Sequence, residues 1–185
     1  KMFEAEADGL RELAATGTIK VPEPLCTGLA GGQAYIVMED IALGGSGSSA
    51  TFGWELAAMH KASRSRFGWH RDNTIGSTPQ PNGWMDDWQQ FWAERRLGFQ
   101  LELAGRNGAG RGLVNNGEAL LGKFSGLFDG YSPQPSVLHG DLWSGNYAFS
   151  RKGEPVIFDP AVYFGDREAD IAMTELFGGF GGDFY

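Results

Sequence analysis

The sequence predicts an α+β fold in two unequal lobes. An incomplete small lobe covers residues 1–40, and a mostly helical large lobe covers residues 41–185. Three observations predict it. A helical apolar stripe at 2–15 runs into two strand-like runs at 25–29 and 34–38. A glycine- and serine-rich run, Gly44-Gly-Ser-Gly-Ser-Ser49, follows and suggests a lobe boundary. Far downstream, two short bulky runs at 136–138 and 156–158 flank a polar loop.

The elements follow in order. Phe3, Ala7, Leu10, Leu13 and Ala14 recur at helical spacing, with Glu6 on the same face. Gly17 ends that helix, and Val21-Pro22-Glu23-Pro24 is an extended connector. The runs 25–29 and 34–38 pair around Gly31-Gly32. Residues 39–50 read as a hinge and a flexible segment, and 51–62 as a helix with Phe52, Leu56, Met59 and His60 on one face. Gly, Pro, Asn and Thr make 67–84 a loop. A long helix is expected over 86–104, with Asp86 and Asp87 at its positive end and a stripe of Trp88, Phe91, Trp92, Phe99 and Leu103. Residues 113–131 read as helical, with Gly117, Gly122 and Gly126 as interruptions.

Composition narrows the function classes. Hydrophobic residues make up 42% of the chain, enough to build a core. A formal charge of −8 argues against a nucleic-acid or anionic-membrane surface. No signal-peptide pattern or 18-residue apolar run appears, so the expected location is cytoplasmic. Cys26 is the single cysteine, which excludes an intrachain disulfide and suits a reducing compartment. Three scattered histidines lack zinc-ligand spacing. The sequence is silent on oligomeric state.

The chemistry concentrates in Val137-Leu-His-Gly-Asp-Leu-Trp-Ser-Gly-Asn146 and Pro155-Val-Ile-Phe-Asp-Pro160. Asp141 and Asn146 stand at the D-x-x-x-x-N spacing of a kinase catalytic loop. Asp159 ends a short apolar run. A phosphoryl-transfer site needs one carboxylate aimed at the attacking hydroxyl, and an amide and a second carboxylate to hold magnesium on the nucleotide phosphates. Asp141 is thus the candidate base, with Asn146 and Asp159 the candidate magnesium ligands. Residues 150–154 read as a polar turn between antiparallel strands. That hairpin would return Asp159 to Asn146.

The wording is more specific than the spacing. His139-Gly-Asp-Leu-Trp-Ser-Gly-Asn146, Phe158-Asp-Pro-Ala161 and Tyr163-Phe-Gly-Asp-Arg-Glu-Ala-Asp-Ile-Ala-Met-Thr-Glu-Leu-Phe-Gly-Gly-Phe180 closely resemble the fructosamine kinase (ketosamine-3-kinase) family. Met2-Phe-Glu-Ala-Glu6, Thr78-Pro-Gln, Trp84 and Asp87-Trp88 extend the resemblance along nearly the whole chain. It implies a two-lobed protein-kinase-like fold with a catalytic hairpin in the large lobe. It implies ATP and magnesium as cofactors, with transfer to the 3-hydroxyl of ketoamine sugars, free or protein-linked. The product sheds its sugar, so the activity repairs glycated proteins. Under the resemblance Glu6 pairs with a phosphate-binding lysine, and Met38, Glu39, Asp40 and Ile41 form the hinge that receives adenine. The glycine-rich loop and that lysine, expected before Glu6, are not among these residues, and Lys1 is too close to Glu6 in one helix to serve. The sequence therefore reads as a fragment of a longer protein. Residues 1–185 alone are expected to show no measurable kinase activity.

Plainer roles stand beside these. His139 reads as a loop support, His60 as a core histidine, and Trp84, Trp88 and Trp92 as core. Trp143 reads equally as lobe packing or as a stacking wall for substrate. Asp170 reads as an acceptor of backbone hydrogen bonds from the catalytic loop, or as a helix cap. Two other functions remain open: a related kinase of aminoglycosides, choline or another amino alcohol, and a truncated, catalytically inactive relative.

Overall fold

The helical stripe at the start of the chain forms α1, Met2–Ala14, which buries Ala5, Ala7, Leu10 and Leu13. These coordinates are a computed structural model that describes all 185 residues. Strands β1, Pro24–Ala30, and β2, Gln33–Met38, pair antiparallel with Ala30 opposite Gln33. The turn between them needs positive φ at both central residues, and Gly31 and Gly32 supply φ of 57° and 80°.

The glycine–serine run that follows is not a loose linker. Leu43 bridges to Ser150, and the amides of Gly44 and Gly45 both donate to the carbonyl of Phe149, at 3.1 and 3.2 Å. A Cβ at Gly45 would overlap the Ser150 carbonyl, and one at Gly47 would overlap the Phe149 ring. Glycine here serves close backbone packing, which composition alone cannot separate from flexibility.

Helix α2, Ser49–Met59, is capped by the Ser48 hydroxyl, which accepts from the Thr51 amide at 3.1 Å. It buries Phe52, Leu56 and Met59. The expected loop at 67–84 contains a hairpin instead, with β3, Asn73–Ile75, antiparallel to β4, Thr78–Gln80. Strands of three residues are too short to carry an alternation signal. The long helix expected at 86–104 is present as one unbroken helical run from Trp88 to Arg106, with a π-helical turn inside it. Asp87 caps α3, Trp88–Trp92, accepting from the Gln90 amide at 2.7 Å. A π-helical turn, Ala93–Gly98, leads into α4, Phe99–Arg106. Helix α5, Arg111–Leu121, packs so closely that a Cβ at Gly117 would overlap the Leu101 side chain. Gly117 is therefore a helix contact and not an interruption. A 3₁₀ turn, Phe124–Phe128, follows.

The last elements differ from expectation in their pairing. The run at 136–138 forms β5, Ser136–Leu138, but its partner is β8, Tyr163–Gly165. The hairpin joins β6, Tyr147–Phe149, to β7, Pro155–Ile157, across the expected polar turn. β6 was not legible because Tyr-Ala-Phe alternates over only three residues. Helix α6, Glu168–Leu176, closes the regular structure.

One apolar core runs from Leu10 and Leu13 through Phe52, Trp69, Phe91, Leu138 and Ile157 to Phe184. Helix α1 thus shares its core with the elements beyond residue 40. Gly9 sits where a Cβ would come 3.1 Å from Val162, so α1 lies directly on the segment after Asp159. No helix is long and apolar enough to cross a membrane.

Candidate active site

Strand β5 delivers the chain into the loop 139–146. Its backbone needs Gly140 at φ 82°, where any Cβ would overlap the carbonyl of Ala161. The loop is held from behind by Asp170 of α6. One carboxylate oxygen accepts from the Gly140 amide at 2.9 Å. The other accepts from the His139 amide at 2.8 Å and from His60 Nε2 at 2.9 Å. Burial alone would raise the pKa of Asp170, but the His60 hydrogen bond and the neighbouring positive potential outweigh it and lower the value. His139 is fully buried. Its Nδ1 accepts from the Asp141 amide at 3.3 Å, so Nε2 carries the proton and donates to the Phe158 carbonyl at 3.0 Å. Burial lowers the His139 pKa and favours this neutral form.

Hairpin β6–β7 brings Asp159 to the loop. The Asn146 Nδ2 group donates to the Asp141 carbonyl at 2.9 Å and to Asp141 Oδ2 at 3.1 Å, and reaches the Asp159 carbonyl at 3.4 Å. These contacts fix the amide orientation and leave Oδ1 free for a cation. Asp159 has a φ of 54°, the single positive value outside glycine. Such backbone costs roughly 1–3 kcal/mol and persists where the surroundings over-determine it, often at functional sites.

Glu6, Asp141, Trp143, Asn146 and Asp159 line one open cleft of about 310 Å³. A second hollow of about 240 Å³ lies against Met38, Glu39, Asp40, Ile41, Val156 and Phe158, and Asp159 borders both. The Glu39 amide is used by the Glu23 carbonyl at 2.8 Å. The backbone groups of Asp40 and Ile41 make no internal hydrogen bond and are open to a ligand. Trp143 is 37% exposed and stands over Gly145, where a Cβ would overlap its ring. Phe177 meets it at a tilt, with ring centroids 5.6 Å apart and the planes 57° from parallel. The cleft also uses Asn73, Thr74 and Gly76 of the β3–β4 hairpin, which sequence reasoning missed. The tripeptide Thr78-Pro79-Gln80 was the available signal, but it carried no chemistry of its own.

Burial raises the Asp141 pKa, partly offset by the Asn146 hydrogen bond, with Asp159 and Asp170 adding like charge. Glu6 is pushed up to about 7, by burial first and then by its hydrogen bond and like charge with Asp159. No ion pair in the chain includes Glu6. The Asp159 carboxylate and the free Asn146 amide oxygen form a hard-oxygen donor pair that fits magnesium, which commonly takes few protein ligands beside the substrate phosphates.

The Glu6 shift predicts a pH dependence of stability. Its folded pKa lies above the unfolded value of 4.5, so the folded state binds the proton more tightly. Stability is fully present below pH 4.5 and is lost as pH rises through about 7. In metal-free buffer, Glu6→Gln is expected to remove this slope and to stabilise the chain by about 1 kcal/mol at pH 8. The unscreened limit is about 3 kcal/mol, reduced because the pair is only partly buried. Thermal melts at pH 5 and pH 8 check it, and parallel slopes for the two proteins would refute it.

Asp141, Asn146 and Asp159 thus meet in one cleft, beside a hollow whose lining includes open backbone at Asp40 and Ile41. The fructosamine kinase family model matches residues 1–185, and the chain belongs to that family. A probable ketoamine kinase of Synechocystis is 50% identical over 188 residues, covering all of this chain and 63% of the relative. The chloroplastic protein-ribulosamine 3-kinase of Arabidopsis thaliana is 48% identical, covering all of this chain and 57% of the relative. The crystal structure of a Haemophilus somnus protein assigned as a fructosamine-3-kinase superposes with a TM-score of 0.89 at 32% identity, over all of this chain and 62% of that one. The chain thus spans less than two thirds of the length of these relatives.

Proposed function

We propose that the complete gene product is an ATP-dependent kinase that phosphorylates the 3-hydroxyl of ketoamine sugars of the fructosamine or ribulosamine type. The carrying observation is the convergence of Asp141, Asn146 and Asp159 in one cleft that meets the hinge hollow at Asp159. The family and the ribulosamine 3-kinase relative support the choice of substrate. On this reading residues 1–40 belong to the nucleotide-side lobe and 41–185 to the substrate-side lobe. The exposed, unpaired Cys26 fits work in the reducing cytoplasm.

The hinge backbone at Asp40 and Ile41 takes the adenine edge, over an apolar floor of Val156 and Phe158. Asp141 orients the sugar hydroxyl and accepts its proton as the γ-phosphoryl group transfers in line. Asn146 keeps that carboxylate turned into the cleft. Asn146 Oδ1 and the carboxylate of Asp159 would hold magnesium, which when bound neutralises charge on the phosphate oxygens. Trp143, braced by Phe177 and lying over Gly145, offers a flat wall to the sugar ring. The product, a 3-phosphorylated ketoamine, is unstable and releases the amine, which accounts for deglycation.

The test is a substrate panel with magnesium-ATP and the purified complete gene product. Ketoamines carrying fructose or ribulose, free and protein-linked, are expected to turn over at least ten-fold faster than aminoglycosides or choline. Preference for an aminoglycoside or choline would transfer the assignment to the related small-molecule kinases. No phosphoryl transfer to any of them would identify an inactive relative.

A further inference from the structure

The backbone that leaves Asp159 is held by side-chain amides from a hairpin far away in sequence. Between β7 and β8 the chain follows no regular ladder, so its buried carbonyls need other donors. The Ala161 carbonyl accepts from Gln80 Nε2 at 2.9 Å, and the Val162 carbonyl accepts from Asn73 Nδ2 at 2.9 Å. Asn73 Oδ1 in turn accepts from Gln80 Nε2 at 2.9 Å and from Asn82 Nδ2 at 2.8 Å. Arg96 donates to Asn82 Oδ1 at 2.7 Å. Its guanidinium is stacked over Tyr163, with the centroid 4.0 Å away, and over Phe91 at 4.7 Å. All three amide side chains are buried: Asn73 is 9% exposed, Gln80 5% and Asn82 0%.

One line of donors runs from Arg96 through Asn82 to Asn73, and Asn73 and Gln80 end on the carbonyls three and two residues after Asp159. The Ala161 amide is fixed as well, donating to the His139 carbonyl at 2.8 Å. Both polar groups of Ala161 and the carbonyl of Val162 are therefore committed. Pro160 between them and Asp159 has a restricted φ. Asp159 thus has little freedom to relax from its φ of 54°. Removing a donor would leave a buried carbonyl unpaired and allow the turn to rotate, taking the carboxylate with it.

We propose that Asn73 and Gln80 are positioning residues that set the orientation of the Asp159 carboxylate and thereby its affinity for the divalent cation. This rests on the reading of Asp159 as a magnesium ligand. The hairpin β3–β4 then has two tasks. Asn73, Thr74 and Gly76 border the catalytic cleft, while Asn73 and Gln80 anchor the metal-side backbone beneath it.

The experiment measures, in the complete gene product, the Mn2+ dissociation constant in the presence of a non-hydrolysable ATP analogue by spin-resonance titration, and the magnesium concentration for half-maximal turnover at saturating nucleotide and ketoamine. Asn73→Leu and Gln80→Met keep side-chain volume and remove the donors. Each is expected to raise both values at least ten-fold, and Gln80→Met, whose side chain lies outside the cleft, to leave the ketoamine KM within about two-fold. Asp159→Asn is the reference for the underlying reading. If it leaves magnesium dependence unchanged, the ligand assignment fails. If it shifts the dependence while both hairpin variants do not, the positioning role is overturned and the ligand assignment stands. Lower stability or turnover with an unchanged magnesium requirement also overturns the positioning role. Asn73→Ser, which removes the amide donor, replaces Asn73→Leu if that variant yields no soluble protein. The same rise is required of it.

Discussion

Replacement of Asp141 by asparagine is expected to lower turnover about 10²- to 10⁴-fold, the usual share of a positioned general base. Nucleotide affinity should stay nearly unchanged, because the hinge hollow and the Asp159 carboxylate are separate from this side chain. Asparagine keeps the shape of the loop, since the Asn146 Nδ2 group can still donate to a side-chain oxygen and to the residue 141 carbonyl. What it removes is the basic oxygen facing the sugar hydroxyl. The pH profile gives a second check. Burial raises the Asp141 pKa, so the acid limb of kcat should fall at higher pH than an ordinary aspartate would give. Steady-state kinetics of the complete gene product on a ketoamine measure both. Near-normal turnover of Asp141→Asn would remove Asp141 from the role of base, whatever the identity of the substrate.

The site was more legible in the sequence than the fold around it, and particular residues explain why. The convergence of Asp141, Asn146 and Asp159 in one cleft was readable because their candidate roles in phosphoryl transfer require these residue types at this spacing, and the apolar runs 136–138 and 156–158 precede Asp141 and Asp159. Helix α1 and the β1–β2 pair were readable because their periodicity extends over whole turns and six or seven residues. The partner of β5 was not, because three-residue strands state no register. Tyr163–Gly165 competes with Pro155–Ile157 on equal terms in the sequence. The run 44–49 was misread because glycine permits both disorder and close packing. The amide hydrogen bonds of Gly44 and Gly45 to Phe149, and the overlaps at Gly45 and Gly47 with the β6–β7 hairpin, separate the two. The network of Asn73, Gln80 and Asn82 was invisible because its acceptors, the carbonyls of Ala161 and Val162, lie about eighty residues away and have no side-chain signature.

Asp170→Ala is expected to cost about 3–5 kcal/mol of stability, because it leaves three buried donors unpaired at about 1–3 kcal/mol each. The carboxylate is 1% exposed and accepts from three donors: the His60 ring, the His139 amide and the Gly140 amide. None of the three has another acceptor at hand. His60 and His139 are themselves buried, and Gly140 lies in a turn pressed against Ala161. Alanine would leave all three unpaired and open a cavity in the floor of the catalytic loop. Asp170→Asn should cost less, since its carbonyl oxygen can still accept while its amide must face an N–H. The lowered pKa of Asp170 adds a signature with a definite sign. Its stabilisation is present above the unfolded pKa and is lost as pH falls through the folded value. Wild-type stability should therefore fall on strong acidification by more than that of Asp170→Asn. Urea denaturation at neutral and acid pH measures both differences. A loss below about 1 kcal/mol for Asp170→Ala would mean that the loop amides find solvent or new partners, and that Asp170 does not anchor the catalytic loop.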